Sequence, residues 1–199
     1  VVSNSGSNDV SVFLGNGTSA FPTITTYPAS GLGNSSIEIA DFNNDGHQDF
    51  ARTANAECTV GLGNGIGGFS VLPSSTLGGD FSTKSGDFNG DGKLDLVKSG
   101  YTNNAFVNLG NGLGSFGVAI NIPIGLYARA AAVGDFNQDH YLDFLTANSI
   151  DNTVSVRLGG VNEIDVKGSG ITISDGDNSA SAADGTDFGI VPIYTTLTH

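Results

Sequence analysis

Nine-residue acidic segments recur three times: Asp41-Phe42-Asn43-Asn44-Asp45-Gly46-His47-Gln48-Asp49, Asp87 to Asp95 (DFNGDGKLD) and Asp135 to Asp143 (DFNQDHYLD). Each carries oxygen side chains at positions 1, 3, 5 and 9. These are Asp41, Asn43, Asp45 and Asp49; Asp87, Asn89, Asp91 and Asp95; and Asp135, Asn137, Asp139 and Asp143. The chemistry such a set suits is coordination of a hard divalent cation. Calcium takes roughly six to eight oxygens at flexible distances, and alternate residues of a tight loop can converge on one centre. A backbone carbonyl at position 7 fills a gap in such a shell, so His47, Lys93 and Tyr141 would each contribute that carbonyl alone. Up to three calcium ions are expected. The third site should be weaker, because His140 stands where the other loops have Gly46 and Gly92, and a position that needs positive φ suits Gly better. The same residue types also build plain turns, with Asx side chains bonding their own backbone. Three copies with the same four oxygen positions favour the metal.

The elements around the loops decide which kind of metal loop this is. A helix-flanked EF-hand needs a bidentate Glu at position 12, where this chain has Arg52, Lys98 and Thr146. The flanks read as strands: Ile37-Glu38-Ile39-Ala40 and Ala131-Ala132-Val133-Gly134 before a loop, Asp95-Leu96-Val97 and Asp143-Phe144-Leu145 after one. Each loop is therefore expected to be a calcium hairpin between two β-strands.

A second motif runs in phase with the first: Leu14-Gly15-Asn16-Gly17, Leu62-Gly63-Asn64-Gly65, Leu109-Gly110-Asn111-Gly112 and a degenerate Leu158-Gly159-Gly160, with leucines 48, 47 and 49 residues apart. A period this long, built of strand-like pieces, predicts a propeller blade or stacked β-array. One unit holds four strands: one into the acidic loop, one out of it, one ending at Leu-Gly-Asn-Gly, and one after Phe21, Phe69 or Phe116. The Asn-Gly pair signals the turn, since both residues accept positive φ.

The pairing of DFNxDGxxD with LGNGxGxF, as in Asp87 to Asp95 followed by Leu109 to Phe116, resembles the FG-GAP or VCBS repeat of integrin α-subunit heads and many bacterial surface and secreted proteins. The resemblance covers roughly residues 1–160. It implies calcium-binding β-propeller blades and an extracellular or cell-surface, bacterial-type secreted setting. The expected units are roughly 1–35, 36–81, 82–128 and 129–160. Three acidic loops and four Leu-Gly motifs make about three and a half four-stranded blades, the first lacking its opening strand and loop, whereas propellers use about four to eight blades. Unpaired strand edges recruit partners, so the missing strands are expected from a longer polypeptide or another chain. Residues 161–199 lose the period. They are expected to be a short β-rich tail, and Ile171 to Asp177 with Asp184 to Gly189 resembles the opening of a β-sandwich domain found near bacterial surface anchors. A tail of this size buries little core alone; it is expected to pack on the repeats or add a strand to a neighbour.

Composition narrows the function. With 30 glycines, no Trp and no Met the chain fits a turn-rich all-β fold, and no stretch approaches the 18 apolar residues of a membrane span. The net charge of −13 belongs mostly to the loops, which hold nine of the 20 acids and leave 11 against 7 bases. Seven scattered cations make no basic stripe, so nucleic acid is not expected as a partner. Cys58, the only cysteine, aligns with Val10 on an apolar face and is expected to be buried and inert. His47 and His140 lie within the loops and His199 is the last residue, so no nucleophile–histidine set or zinc site stands out. Asn16-Gly17-Thr18 and Asn34-Ser35-Ser36 match the glycosylation acceptor pattern but read more readily as ordinary turns. The chain is expected to be a non-catalytic binding or adhesive module whose ligand is an unidentified protein or glycan. Two alternatives stand beside it: a subunit of an extracellular fibre, self-associating through strand edges and the tail, and a non-catalytic module of a larger secreted enzyme.

Overall fold

The structure, a computed structural model, describes residues 1–31, 33, 35–79, 81–160, 167–168 and 171–172. The chain divides into two compact units, Val1–Gly160 and Val161–His199. In the second, a two-stranded hairpin of β16 (Lys167–Gly168) and β17 (Ile171–Thr172) is described; the other expectations for the tail, and Asn34 of the second glycosylation triplet, lie outside the described residues.

The all-β expectation holds. Unit one consists of four antiparallel sheets in chain order, and its described residues contain no helix. Sheet one is β1 (Val2–Asn4), β2 (Asp9–Leu14) and β3 (Thr23–Pro28). Sheet two is β4 (Ser35–Ala40), β5 (Asp49–Ala54), β6 (Glu57–Gly63) and β7 (Phe69–Val71), with β8 (Ser75–Thr76) pairing a further part of β6. Sheet three is β9 (Ser82–Gly86), β10 (Asp95–Ser99), β11 (Asn104–Asn108) and β12 (Ile120–Pro123). Sheet four is β13 (Ala128–Gly134), β14 (Asp143–Asn148) and β15 (Thr153–Arg157). Strands follow one another as simple meanders, which short connections allow. The four strands expected per unit are those of sheet two: into the acidic loop, out of it, up to Leu-Gly-Asn-Gly, and onward from Phe69.

Alternation along the strands sends one set of side chains forward to the next sheet and the other back to the preceding one. Three apolar layers result. Val10 and Val12 of β2 meet Phe50, with Tyr27 and Phe69 packed around them. Phe42, Ala51, Cys58, Val60, Leu77 and Leu96 fill the space between sheets two and three. Val97, Ala105, Val107 and Phe144 fill that between sheets three and four. Cys58 is buried among apolar neighbours, where Val10 stands in sheet one. Gly61 is the gap that admits Phe50 across the ladder: a Cβ there would lie 2.3 Å from the ring.

Where the first strands of successive sheets run side by side, the contacts turn polar. Ser36 Oγ accepts the Thr83 N–H and Ser82 Oγ accepts the Ala131 N–H, so the same hydroxyl-to-amide stitch joins sheet two to three and three to four. Glu38 adds an ion pair to Lys84 at 3.0 Å and accepts the Ser85 N–H. Two basic side chains buried beneath these strands hold the connections between sheets. Arg52 of β5 donates to the carbonyls of Ser30 and Gly31 and to Ser3 Oγ, and Lys98 of β10 donates to the Leu77 carbonyl. Both have no exposed surface. They occupy position 12 of their loops, the place where an EF-hand would need Glu.

The outermost faces remain apolar and open. Val154, Val156 and Leu158 repeat the pattern of Cys58, Val60 and Leu62 but are 62%, 45% and 61% exposed. On the far side of sheet one, Phe13, Phe21 and Ile24 are exposed, with Phe13 and Phe21 in edge-to-face contact.

Candidate functional site

The three acidic loops lie at one end of the sheets, each joining the first strand to the second. A common core of internal hydrogen bonds recurs in all three, and in loops two and three the position-4 N–H also donates to position 1. At position 1, Asp41 accepts the N–H of Asp45 on Oδ1 and that of Gly46 on Oδ2, at 3.1 and 2.8 Å. Asp87 does the same for Asp91 and Gly92, and Asp135 for Asp139 and His140. At position 3, Asn43, Asn89 and Asn137 each accept the N–H of position 5. At position 5, Asp45, Asp91 and Asp139 accept the N–H of position 7, which is His47, Lys93 or Tyr141. The backbone is thus wound inside its own side-chain oxygens. Winding it requires two left-handed residues per loop, at positions 4 and 6: Asn44 and Gly46, Gly90 and Gly92, Gln138 and His140, with φ between 58° and 86°. Position 6 does demand positive φ, and His140 adopts it at 72°. Loop three therefore carries two non-glycine residues in a conformation that costs about 1 kcal/mol or more each.

Position 9 is different. Asp49, Asp95 and Asp143 have no exposed surface. Asp49 Oδ2 accepts the Phe42 N–H at 2.8 Å and its Oδ1 the Gly63 N–H at 2.7 Å. Asp95 bonds Phe88 and Gly110, and Asp143 bonds Phe136 and Gly159, in the same way. The last acid of each loop is thus a bracket between the start of its own loop and the glycine of the Leu-Gly motif. Those glycines are needed for close approach. A Cβ on Gly63, Gly110 or Gly159 would come within about 2.0–2.2 Å of the carbonyl oxygen of Gln48, Leu94 or Leu142. Spacing showed that the two motifs recur in phase; it could not show that one is hydrogen-bonded to the other.

The Asn-Gly turn forms otherwise than the dipeptide alone suggests. Only the glycine takes positive φ, at 76° in Gly65 and 70° in Gly112. The asparagine acts through its side chain: Asn64 Oδ1 accepts the N–H groups of Ile66 and Gly68, and Asn111 Oδ1 those of Leu113 and Ser115. The turn of sheet three also reaches back to the preceding loop, where Gly114 N–H donates to the Phe42 carbonyl. A cleft of about 480 Å³ between the first acidic loop and its Leu-Gly turn is lined by Asn43, Asp45, Asn64, Tyr27 and Phe69.

The electrostatics divide the acids in two. The Asn43 amide and then the His47 N–H hold the Asp45 carboxyl below its ordinary range, and Lys93, 2.9 Å away, does the same for Asp91. Burial pushes Asp49 and Asp95 upward in spite of their two backbone donors, with the neighbouring loop acids adding to the rise. In chemistry, positions 1, 3 and 5 fit a hard cation: two carboxylates and an amide oxygen, all at the loop surface. The third carboxylate is drawn inward, and among the described residues no group of three His, Cys, Asp or Glu side chains converges as an ion-holding set. No described helix is long and apolar enough to cross a membrane.

Two comparisons bear on this architecture. A family model, the FG-GAP-like repeat, matches residues 1–51 and 87–146, which contain all three acidic loops. No curated protein matches the chain. Among solved structures, a lectin from Agrocybe aegerita, described for specific recognition of non-reducing terminal N-acetylglucosamine, superimposes with a TM-score of 0.50 at 21% identity, over 70% of this chain and 42% of its own. This chain therefore spans less than half the length of that protein, and the likeness is one of fold.

Proposed function

The chain belongs to the FG-GAP-like repeat family, and we propose that it is a non-catalytic, calcium-stabilised binding module that works outside the cell or at its surface. The four sheets are blades of a propeller-like array that amounts to about three and a half four-stranded blades. One observation carries the reading: three loops present oxygens at positions 1, 3 and 5 in one repeated hydrogen-bond pattern. Calcium bound there would neutralise carboxylates that otherwise face one another. The protein's own part is to hold the oxygens in place, through the left-handed residues at positions 4 and 6 and the buried bracket at position 9. Ion binding would then be folding free energy, with occupancy high only at the calcium levels met outside cells, since extracellular modules bind near 10⁻⁴ to 10⁻³ M.

The ligand class we take first is a glycan, supported by the fold shared with a sugar-recognising protein. A thermal melt in excess calcium and in chelator tests the metal. A rise in Tm with calcium is expected; an unchanged Tm overturns the calcium reading.

Self-association is a second reading, favoured by the open apolar faces of sheets one and four. Light scattering during the same melt, at several protein concentrations, separates it from a monomeric binder. Growth of scattering with concentration below Tm would favour a fibre subunit.

A further inference from the structure

At the end of the sheets opposite the acidic loops, three segments bring together an aromatic cluster that the repeat does not explain. Phe81 immediately precedes β9, Tyr101 lies in the β10–β11 turn, and Tyr127 immediately precedes β13. The Phe81 and Tyr101 rings are 4.3 Å apart between centroids, Tyr101 and Tyr127 meet edge-on at 5.0 Å, and Phe81 and Tyr127 stand at 5.4 Å. Arg129 of β13 places its guanidinium 5.2 Å from the centres of both Phe81 and Tyr127. The guanidinium pairs with no carboxylate among the described residues. Tyr101 is 47% exposed, and Arg129 is exposed.

Scaffolding alone does not call for these residues. The corresponding turn of sheet two is Asn55-Ala56 and that of sheet four is Ser149 to Asn152, neither with an aromatic ring, and both close well-formed hairpins. Tyr127 is held at a φ of 62°, which a bulky side chain rarely adopts. The surroundings fix it there: its carbonyl accepts both the N–H and the hydroxyl of Ser149, and Leu126 N–H donates to Asp151. Backbone outliers held this firmly cluster at functional sites, and this one stands beside the exposed Tyr101 ring.

We propose that this cluster is a saccharide-binding platform, with Tyr101 as the ring on which a pyranose lies and Arg129 as the donor to its hydroxyl groups. The proposal rests on the glycan part of the function argued above and gives it a location. The C–H groups on the flat side of a pyranose carry partial positive charge and suit the negative face of an aromatic ring. Phe81 and Tyr127 back Tyr101, so little rotamer freedom is lost on binding. Arg129, pinned over two rings, offers N–H groups in a fixed fork. An acidic chain with one fixed guanidinium here suits a neutral sugar better than a polyanionic one.

The chain has no Trp, and two of its five tyrosines lie in the cluster, so tyrosine emission responds to events at the site. The full chain, in calcium, is titrated with neutral oligosaccharides of N-acetylglucosamine, galactose and mannose, and with an oligogalacturonate, following tyrosine fluorescence and calorimetry. Binding of a neutral sugar is expected. Tyr101→Ala should weaken it at least tenfold and Arg129→Gln about fivefold, while Tyr101→Phe stays within about threefold of the parent; unchanged melting temperatures show that the variants fold. If the parent binds a sugar and Tyr101→Ala binds it equally well, the platform is wrong and the glycan reading survives. If the parent binds none of the four, both fall. Preference for the oligogalacturonate would overturn the neutral ligand.

Discussion

The acids of each loop do two jobs that a common spelling conceals. Asp95 is buried and accepts the N–H groups of Phe88 and Gly110, whereas Asp91 is at the surface and bonds only its own loop and Lys93. Asp95→Ala strands two buried donors and should cost about 3 kcal/mol in urea unfolding, with or without calcium. Asp91→Ala should leave chelator-treated protein nearly unchanged and remove part of the calcium-dependent gain in Tm. If both variants lose stability only in calcium, the bracket is not what position 9 does. Cys58 supplies a pH dependence whose sign is plain. Burial raises its thiol from 9.0 to about 11, so the stabilisation from the neutral thiol is complete below pH 9 and disappears as pH climbs through 11. Unfolding free energies of the parent and Cys58→Ala, measured from pH 8 to 11, should converge at the alkaline end; a constant gap would mean that the thiol ionises freely when folded.

At the level of elements, the strands and their order were legible because alternation, in-phase motifs and turn residues all agreed along the chain. Arg52 and Lys98 were not. Read along the sequence they mark only the absence of a position-12 Glu. Their partners, the carbonyls of Ser30, Gly31 and Leu77, lie more than 20 residues away and become neighbours only when sheets stack. The bracket at position 9 was hidden for the same reason, since a carboxylate aimed at an ion and one aimed at an amide are spelt alike. The aromatic cluster left no periodic trace, as its members sit on three connections. Two substitutions probe the elements. Gly110→Ala drives a methyl against the Leu94 carbonyl and should cost about 3 kcal/mol in urea unfolding. His140→Gly relieves a left-handed histidine and should raise Tm, by about 1 kcal/mol of stability. A fall in Tm for His140→Gly would show that the side chain makes a contact worth more than the strain.

Through the four sheets, each is joined to the next by an apolar layer and by a hydroxyl stitch between inner strands, Ser3 to Ser35 at the first junction, with a buried cation at the first two. Arg52→Met removes the donor to two carbonyls and Ser3 while keeping the volume; a loss of about 2 kcal/mol in a urea titration is expected. The bracket has a further consequence. From its aspartate to its glycine the chain runs 14 residues in sheet two, 15 in sheet three and 16 in sheet four (Asp49 to Gly63, Asp95 to Gly110, Asp143 to Gly159), yet both ends are pinned in the same geometry. The surplus is taken up at the opposite rim, where the two-residue turn at Asn55-Ala56 gives way to longer connections in the other two sheets, four residues in sheet four. One rim is thereby frozen in length and the other is free to vary, which makes the free rim the natural place for grafted loops, and a tolerant place for a lineage to try new ones.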